Sequence, residues 1–363
     1  MSDTRYLQGP LWNNTYVVVM AGGIEGRFWP LGDETMPKQF LDVMGQGKTL
    51  LQMTVDRFAD RLCPVENIWV VTSENFRQIV INQLPQVPDG NILAEPCRRN
   101  TSPGIAYASW VIKSKNPQAN VIVTPSDHYI DPLPLFCKAV SVCIEFASET
   151  DSIVTMGIRP DYPATEYGYI EADLRYPSPT SPNIFRVDSF KEKPEMALAE
   201  RYVREHNFFW NSGIFIWNIN TIVNAYRVYQ PHVAEAFETL MPLLGTDQEH
   251  DKVQKLYENL ESISIDYAIM EKTEEIYVYP SEFEWSDLGS YSSLKKRLSN
   301  DLRGNACVGN GIRLFDTDNC IIHVSGKKQV IVQGMDGFII SEYDDKLLIC
   351  RLSDEQRIDL FRE

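Results

Sequence analysis

Residues 16–41 read YVVVMAGGIEGRFWPLGDETMPKQFL, and this stretch restricts the fold more than any other. Its opening Tyr16-Val17-Val18-Val19-Met20 is apolar, rich in β-branched residues and without polar interruption. That is the pattern of a strand covered on both faces in a parallel sheet. Ala21-Gly22-Gly23 then removes side chains where the strand ends. Backbone without Cβ atoms turns sharply and offers successive N–H groups to an anion, so the turn is a candidate phosphate cradle, with Arg27 and Lys38 following as cations. Two common phosphate motifs are excluded. A dinucleotide fingerprint runs from G-x-G-x-x-G straight into a helix, whereas Arg27-Phe28-Trp29-Pro30 intervenes here. Gly47-Lys48-Thr49 looks like the end of a P-loop, but that motif needs glycine where Asp42 stands.

Beyond this turn, strand and helix patterns alternate. Leu50, Leu51, Val55, Phe58 and Leu62 fall close to helical spacing over 49–62, with Thr49 as N-cap. Strands are expected at 68–71, 92–94, 121–123 and 153–156, and helices from about Asn75, over 103–113 and over 134–147. Such alternation implies the α/β class, a Rossmann-like, mostly parallel sheet with ligands beyond the carboxyl ends of its strands. The segment 159–182 carries Pro160, Pro163, Pro177, Pro179 and Pro182, so it reads as an excursion over the site rather than a helix or central strand. After about residue 300 the pattern becomes short β-rich runs at 312–314, 320–324, 329–332, 337–341 and 346–350. These suit a small β domain or partial β-helix, and Ser353 with Gln356 fits a capping box opening a last helix.

The length of 363 residues accommodates a large α/β domain and a smaller one. Lys and Arg total 34 against 50 Asp and Glu, for a formal net charge of -16, so bulk attraction to nucleic acid or an anionic membrane is absent. An anionic small substrate would then need a local cationic pocket. No apolar run is long enough to span a bilayer, and the polar start MSDTRYLQGP does not read as a signal peptide, which points to a cytoplasmic location. The seven cysteines are scattered without C-x-x-C, as expected of reduced thiols rather than a structural zinc site.

Five further motifs follow in order: Glu95-Pro96-Cys97-Arg98-Arg99-Asn100-Thr101, Pro125-Ser126-Asp127-His128, Thr165-Glu166-Tyr167-Gly168-Tyr169-Ile170, Phe190-Lys191-Glu192-Lys193-Pro194 and Trp210-Asn211-Ser212-Gly213-Ile214-Phe215. Trp285-Ser286-Asp287-Leu288-Gly289 completes the set. Taken singly each has an ordinary reading: Asn100 or Thr101 as an N-cap, Asp127 as a turn residue, Glu192-Lys193 as a solvated pair, Asn211 as a turn before a strand.

Taken in order, they resemble the sugar-1-phosphate nucleotidyltransferase family, and within it the mannose-1-phosphate guanylyltransferases. The family's AGG-x-G-x-R, WPL and PKQF are matched by Ala21, Gly22, Gly23, Arg27, Trp29, Pro30, Leu31, Pro37, Lys38, Gln39 and Phe40. Two positions depart from its pattern: Glu25 stands where the family has a third glycine, displaced to Gly26, and Gly32-Asp33 stands in place of Ser-Arg. The resemblance covers roughly residues 16–290 and implies a nucleotidyltransferase core over 14–298 and a β domain over 299–363, without the isomerase domain fused to some relatives. It implies conversion of GTP and α-D-mannose 1-phosphate to GDP-mannose and pyrophosphate with Mg²⁺. Ala21, Gly22, Gly23, Gly26, Glu95, Arg99, Asn100, Thr101 and Ser126 would contact the nucleotide, and Thr165, Gly168, Tyr169, Glu192, Lys193 and Asn211 the sugar phosphate. Asp127 and Asp287 would hold the metal. Arg27 would meet the β- and γ-phosphates, Lys38 the charge developing at the α-phosphate, and Lys193 the incoming phosphate. His128 reads as packing rather than as a base, and Ser264-Ile265-Asp266-Tyr267, which also matches a family segment, as mainly structural.

Elementary chemistry agrees with such a reaction. A sugar phosphate has a second pKa near ~6, so near neutral pH its oxygen is already a charged nucleophile and no general base is needed. Positioning, cations and a metal carry the load. Two other readings stay open: a pyrophosphorylase for another GDP-sugar, such as a heptose or glucose, and a non-catalytic sugar-nucleotide-binding regulator, for which Glu25 and Asp33 are the motive. A homodimer is compatible with the sequence, but no pattern specifies it.

Overall fold

The computed structural model describes residues 5–24, 28–326 and 328–361; Glu25, Gly26 and Arg27 of the glycine turn lie outside the described residues. Its strands are β1 (Thr15–Met20), β2 (Ile68–Ser73), β3 (Ile92–Glu95), β4 (Asn120–Pro125), β5 (Tyr129–Asp131), β6 (Ile153–Ile158), β7 (Tyr169–Ser178), β8 (Ser181–Lys191), β9 (Phe208–Asn218), β10 (Ile276–Ser281) and β11 (Glu284–Ser286), then β12 (Ala306–Val308), β13 (Ile312–Phe315), β14 (Ile321–Val324), β15 (Val330–Gln333), β16 (Phe338–Tyr343) and β17 (Lys346–Arg351). The helices are α1 (Gly9–Asn14), α2 (Leu50–Phe58), α3 (Arg77–Gln83), α4 (Thr101–Lys115), α5 (Leu133–Glu149), α6 (Met196–Glu205), α7 (Ile219–Tyr229), α8 (Pro231–Leu240), α9 (Glu249–Asn259), α10 (Tyr291–Arg297) and α11 (Ile358–Phe361). Packing divides the chain into two compact units. One comprises residues up to Gly22 with Val55–Pro125 and Ile130–Trp285; the other comprises Gly23–Thr54, Ser126–Tyr129 and the chain from Ser286 onward.

The first unit is built on a nine-stranded sheet of order β3-β2-β1-β4-β9-β6-β10-β8-β7. β1 has parallel partners on both sides, with Val18 opposite Trp69 and Val123, and Val17, Val18 and Val19 are fully buried, as its uninterrupted apolar run requires. From β3 to β4 the sheet is parallel. Beyond β4 it is mixed, because β9 runs antiparallel between β4 and β6. Asn211, which taken singly would pass as a turn ahead of a strand, lies inside β9 opposite Gly157. The reversed direction sets the N-terminal half of β9 level with the carboxyl end of β6, so Asn211 still stands at the end of the sheet where α/β folds take their ligands.

The proline-rich segment also differs from expectation, since it contributes the ten-residue strand β7. Tyr169, Ile170 and Glu171 pair with both β8 and β9, while Pro177 pairs only with β8. Proline is tolerated there because no second neighbour calls for its missing N–H. Helix α4, with Trp110 packed between Tyr226 of α7 and Phe237 of α8, anchors the helical layer that covers one side.

The second unit gathers Phe28, Leu31, Leu41, Leu288, Tyr291, Ile321 and Ile339 into one apolar core. The Tyr291 hydroxyl lies 3.2 Å from the Phe28 carbonyl and 2.9 Å from Ser341 Oγ, tying the Trp29-Pro30-Leu31 stretch to β16. The expected partial β-helix is present as parallel pairings β12–β14–β16 and β13–β15, closed over Ile322, Val324, Val332 and Ile340, with β17 added antiparallel to β16. The last helix is entered differently from expectation. A 3-10 turn begins at Leu352, so Ser353 is already inside it and no side chain caps its start. A capping box forms instead between Ser290 and Ser293 at α10. Among the described residues no helix is long and apolar enough to cross a membrane.

Gly157 sits where the β6–β9 register shifts, and a Cβ there would lie 2.6 Å from Val278 Cγ2 and 2.8 Å from Phe209 Cβ. Gly157→Ala should therefore lower unfolding free energy by about 1–3 kcal/mol in urea titrations. An unchanged midpoint would contradict the packing described for this strand.

Candidate active site

In the second unit, Pro37 leads into a 3-10 turn at Lys38–Phe40 that turns the Lys38 side chain inward, where it is 3% exposed. Its Nζ lies 2.8 Å from the Asp287 carbonyl, 3.1 Å from the Leu288 carbonyl and 3.2 Å from Asp127 Oδ2. An ammonium has three N–H donors, and its burial without such oxygens would cost several kcal/mol. Burial alone would raise the Asp127 carboxyl, but the Lys38 ammonium and the His128 imidazole hold it below the usual carboxylate range. The Trp285–Gly289 motif has a geometric reason: Leu288 is in the left-handed region at φ 47°, and a Cβ on Gly289 would lie 2.8 Å from Asp287 Oδ2. Asp287 Oδ1 accepts from the Gly289 N–H at 3.0 Å. Lys38, Asp127 and Asp287, three of the positions expected from sequence, are thus brought together.

Ser126 is buried beside them in sequence, and its carbonyl accepts from Thr54 Oγ1 at 3.1 Å. The Gly23 carbonyl accepts from Gln39 Nε2 at 2.8 Å, and the space where a Gly23 Cβ would stand is open. Asp33, one of the two departures from the family pattern, is committed to its own turn. Its Oδ1 accepts from Thr35 Oγ1 at 2.6 Å, Thr35 N at 2.9 Å and Met36 N at 3.1 Å, and Oδ2 lies 3.3 Å from Lys346 Nζ. The Thr35 hydroxyl chiefly, outweighing partial burial, brings the Asp33 carboxyl down to about 2. Arg27 and Gly26 lie outside the described residues.

In the first unit, Ala21 continues β1, donating to the Val71 carbonyl at 2.7 Å. Glu95, at the end of β3, is buried, with Oε2 3.7 Å from where a Gly22 Cβ would be and the carboxyl beside the Tyr257 hydroxyl. Burial pushes this carboxyl up to about 7, tempered by the nearby Tyr257 hydroxyl. Asn100, at φ 64°, caps α4 by accepting from the Thr101 N–H at 2.9 Å. Thr101 Oγ1 accepts from the Ile265 N–H at 2.9 Å. Arg99 is committed to the fold, its Nε donating to the Tyr257 carbonyl at 2.9 Å.

The sugar-phosphate candidates form a second cluster in this unit. A Cβ on Gly168 would lie 2.6 Å from Glu192 Oε2, and the Gly168 carbonyl accepts from the Asn211 N–H at 2.8 Å. Lys193, mostly exposed, places Nζ 3.7 Å from Glu192 Oε1. Tyr169 turns its ring into the core and donates its hydroxyl to the Ala164 carbonyl at 3.0 Å. Exposed Thr165 gives its N–H to Glu166 Oε2 at 3.0 Å.

Asp266 was the residue that sequence reasoning set aside. Its Oδ1 accepts from Asn211 Nδ2 at 2.8 Å, while Asn211 Oδ1 accepts from the Gly213 N–H at 3.1 Å, so the amide is oriented from both ends. Burial, then the Glu192 charge, pushes the Asp266 carboxyl up to about 6 against the pull of that hydrogen bond. It opens a π-helical turn, Asp266–Met270, and in sequence an acid ahead of an apolar helical run is indistinguishable from an ordinary first-turn acid.

The Glu95 environment makes a pH prediction. An unfolded glutamate ionises near ~4.3 and the folded one near 7, so between these values the folded chain holds the extra proton and stability falls as pH rises. Glu95→Gln cannot titrate, and the slope of unfolding free energy against pH across this window should be more positive than in the unaltered chain. Equal slopes would contradict the assignment.

Comparison with known proteins places these two clusters in context. A sequence model described as Nucleotidyl transferase matches residues 16–303. Mannose-1-phosphate guanylyltransferase 2 of Escherichia coli O157:H7 is 36% identical over 349 residues, covering 94% of this chain and 71% of that protein. Mannose-1-phosphate guanylyltransferase of Escherichia coli (strain K12) is 35% identical over 340 residues, covering 90% of this chain and 70% of that protein. The crystal structure of mannose-1-phosphate geranyltransferase from Thermus thermophilus superposes with a TM-score of 0.84 at 30% identity, over 96% of this chain and 98% of that one. With the family match spanning the sheet and every motif that carries the two clusters, the chain belongs to the nucleotidyl transferase family.

Proposed function

We propose that the chain joins GTP and α-D-mannose 1-phosphate to give GDP-mannose and pyrophosphate. The observation that carries the substrate assignment is that relatives aligned over nine-tenths of the chain are named for guanylyl transfer to mannose 1-phosphate. In this reading a phosphate oxygen of the sugar phosphate attacks the α-phosphorus of GTP in line. The bond to the bridging oxygen breaks, and its electron pair leaves with pyrophosphate. No proton has to move near neutral pH.

Lys38, held by carbonyl and carboxylate oxygens in the second unit, offsets charge at the α-phosphate, and Arg27 is assigned to the β- and γ-phosphates. Asp127 and Asp287 fit a hard divalent cation: both offer carboxylate oxygen, and Asp127 is kept ionised. Mg²⁺ commonly takes one or two carboxylates and completes its shell with substrate phosphate and water. When bound, Mg²⁺ neutralises charge on the phosphates and the leaving pyrophosphate.

Gly22 and Gly23 are assigned to close approach of the nucleotide, where a backbone without Cβ atoms offers its N–H groups. Glu95, Asn100, Thr101 and Ser126 are assigned to the nucleotide, with the Glu95 carboxyl as acceptor for the N1–H and 2-amino donors of guanine. Glu192, Asn211 and Asp266 supply acceptors for sugar hydroxyls, with Gly168, Tyr169 and Thr165 shaping that set, and Lys193 meets the sugar phosphate. The domain division at 298, a cytoplasmic location and pairing of two copies belong to the same proposal. The turn that occupies Asp33 weakens the regulator reading, whose other motive, Glu25, lies outside the described residues.

The test is pyrophosphate release with Mg²⁺ over a grid of four nucleoside triphosphates and several sugar 1-phosphates. GTP with mannose 1-phosphate should dominate, and Asp127→Asn should lower its kcat by at least ~100-fold. A different dominant pair would reassign sugar or base, and silence across the grid from folded protein would overturn the catalytic reading.

A further inference from the structure

The cleft between α8 and α9 in the first unit lies apart from every motif above. It encloses about 560 Å³ over an apolar floor of Ala236, Leu240, Leu243, Leu256 and Leu260. Lys252 and Lys255 of α9 stand on its rim against the single carboxylate of Glu235 on α8. Neither ammonium has an ion-pair partner among the described residues, a local cationic excess on a chain of net charge -16. A volume of this size admits a drug-sized molecule. The rim disfavours a cation, and the floor disfavours a wholly polar metabolite.

The floor adjoins the support of the loop 95–102. Leu256 and Leu260 bracket Tyr257 and Glu258, whose carbonyls accept from Arg99 Nε at 2.9 Å and Nη2 at 3.3 Å. Cys97 Sγ approaches the same Tyr257 carbonyl at 3.8 Å. Just beyond α9, the Ile263 N–H donates to the Arg99 carbonyl at 3.2 Å and the Ser102 N–H to the Ile263 carbonyl at 3.1 Å. The last turn of α9 therefore faces the cleft on one side and holds the loop on the other.

We propose that this cleft is a second ligand site, taking a small organic anion with an apolar body, and that its occupancy is transmitted to the loop 95–102 through the last turn of α9. The transmission rests on the reading of that loop as nucleotide-binding; the site itself does not. In this proposal a ligand seated against Leu256 and Leu260 bears on the turn whose carbonyls hold Arg99, and the coupling acts through that turn.

The probe is 8-anilinonaphthalene-1-sulfonate, an aromatic sulfonate, titrated into the full chain with GTP and Mg²⁺ in excess so that it does not report the nucleotide site. One saturable rise in fluorescence is expected. Lys252→Glu with Lys255→Glu should weaken it about tenfold, and Ala236→Trp, which fills the cleft, should abolish it. Both variants should keep the circular dichroism and dye-free turnover of the unaltered chain. Binding that survives both changes, or never saturates, overturns the site. The dye should also change the apparent KM for GTP by at least about threefold in the unaltered chain and in neither variant. Saturable, variant-sensitive binding with an unchanged KM overturns the transmission. Dye binding reads out whichever nucleotide the chain uses, so failure of the proposed reaction is distinguishable from failure of the cleft.

Discussion

A buried ammonium cannot stand without oxygens to receive its protons, and Lys38 meets that constraint with groups from segments far apart in sequence. The Asp127 carboxylate and the carbonyls of Asp287 and Leu288 converge on it inside the second unit. The local geometry is tight: Leu288 takes a left-handed φ, and a Cβ on residue 289 would lie 2.8 Å from the Asp287 carboxylate. The convergence depends on the apolar core of Phe28, Leu41, Leu288 and Tyr291 around it. Removing Asp127 would leave the buried Lys38 ammonium with carbonyl oxygens alone, whereas Asp127, 23% exposed, can still be solvated without Lys38. The same contact keeps Asp127 ionised, which is the state a metal ligand needs.

Three carboxyl groups show how environment sorts like side chains into different tasks. Asp127 has a cation beside it and is held low. Glu95 is buried without one and is pushed up to about 7, while Asp266 is pushed up to about 6 by burial and by Glu192. The ionised group suits a cation, and the two raised groups suit hydrogen-bonding ligands whose donors would compensate their desolvation. Asp266 adds a second role, because it fixes the amide of Asn211 from one side while the Gly213 N–H fixes it from the other.

The parallel half of the sheet was legible because β1 is an unbroken apolar run, and such a run fits only where helices cover both faces. The small β domain was legible from short runs between glycine and aspartate turns. Strand direction was not: nothing in Trp210–Phe215 distinguishes an antiparallel strand from a parallel one. The prolines of 159–182 hid β7, which accommodates Pro177 on the side that lacks a second partner. The candidate site residues were nominated by ordered motifs rather than by their chemistry taken singly. Their companions were not, since Asp266 is defined by contacts with Asn211 and Glu192 that no spacing records. Nor does contiguous sequence reveal that Gly23–Thr54 packs as one unit with the chain from Ser286 onward.

The central claim is that the buried Lys38 ammonium and the half-buried Asp127 carboxylate stabilise each other within the second unit. A double-mutant cycle in urea with Lys38→Met, Asp127→Asn and both together tests it directly. The account predicts that Lys38→Met is strongly destabilising, and that adding Asp127→Asn costs less than it does in the unaltered chain by at least ~1 kcal/mol, because the stranded charge is gone. Additive losses would show that the two side chains do not depend on each other and would contradict the account.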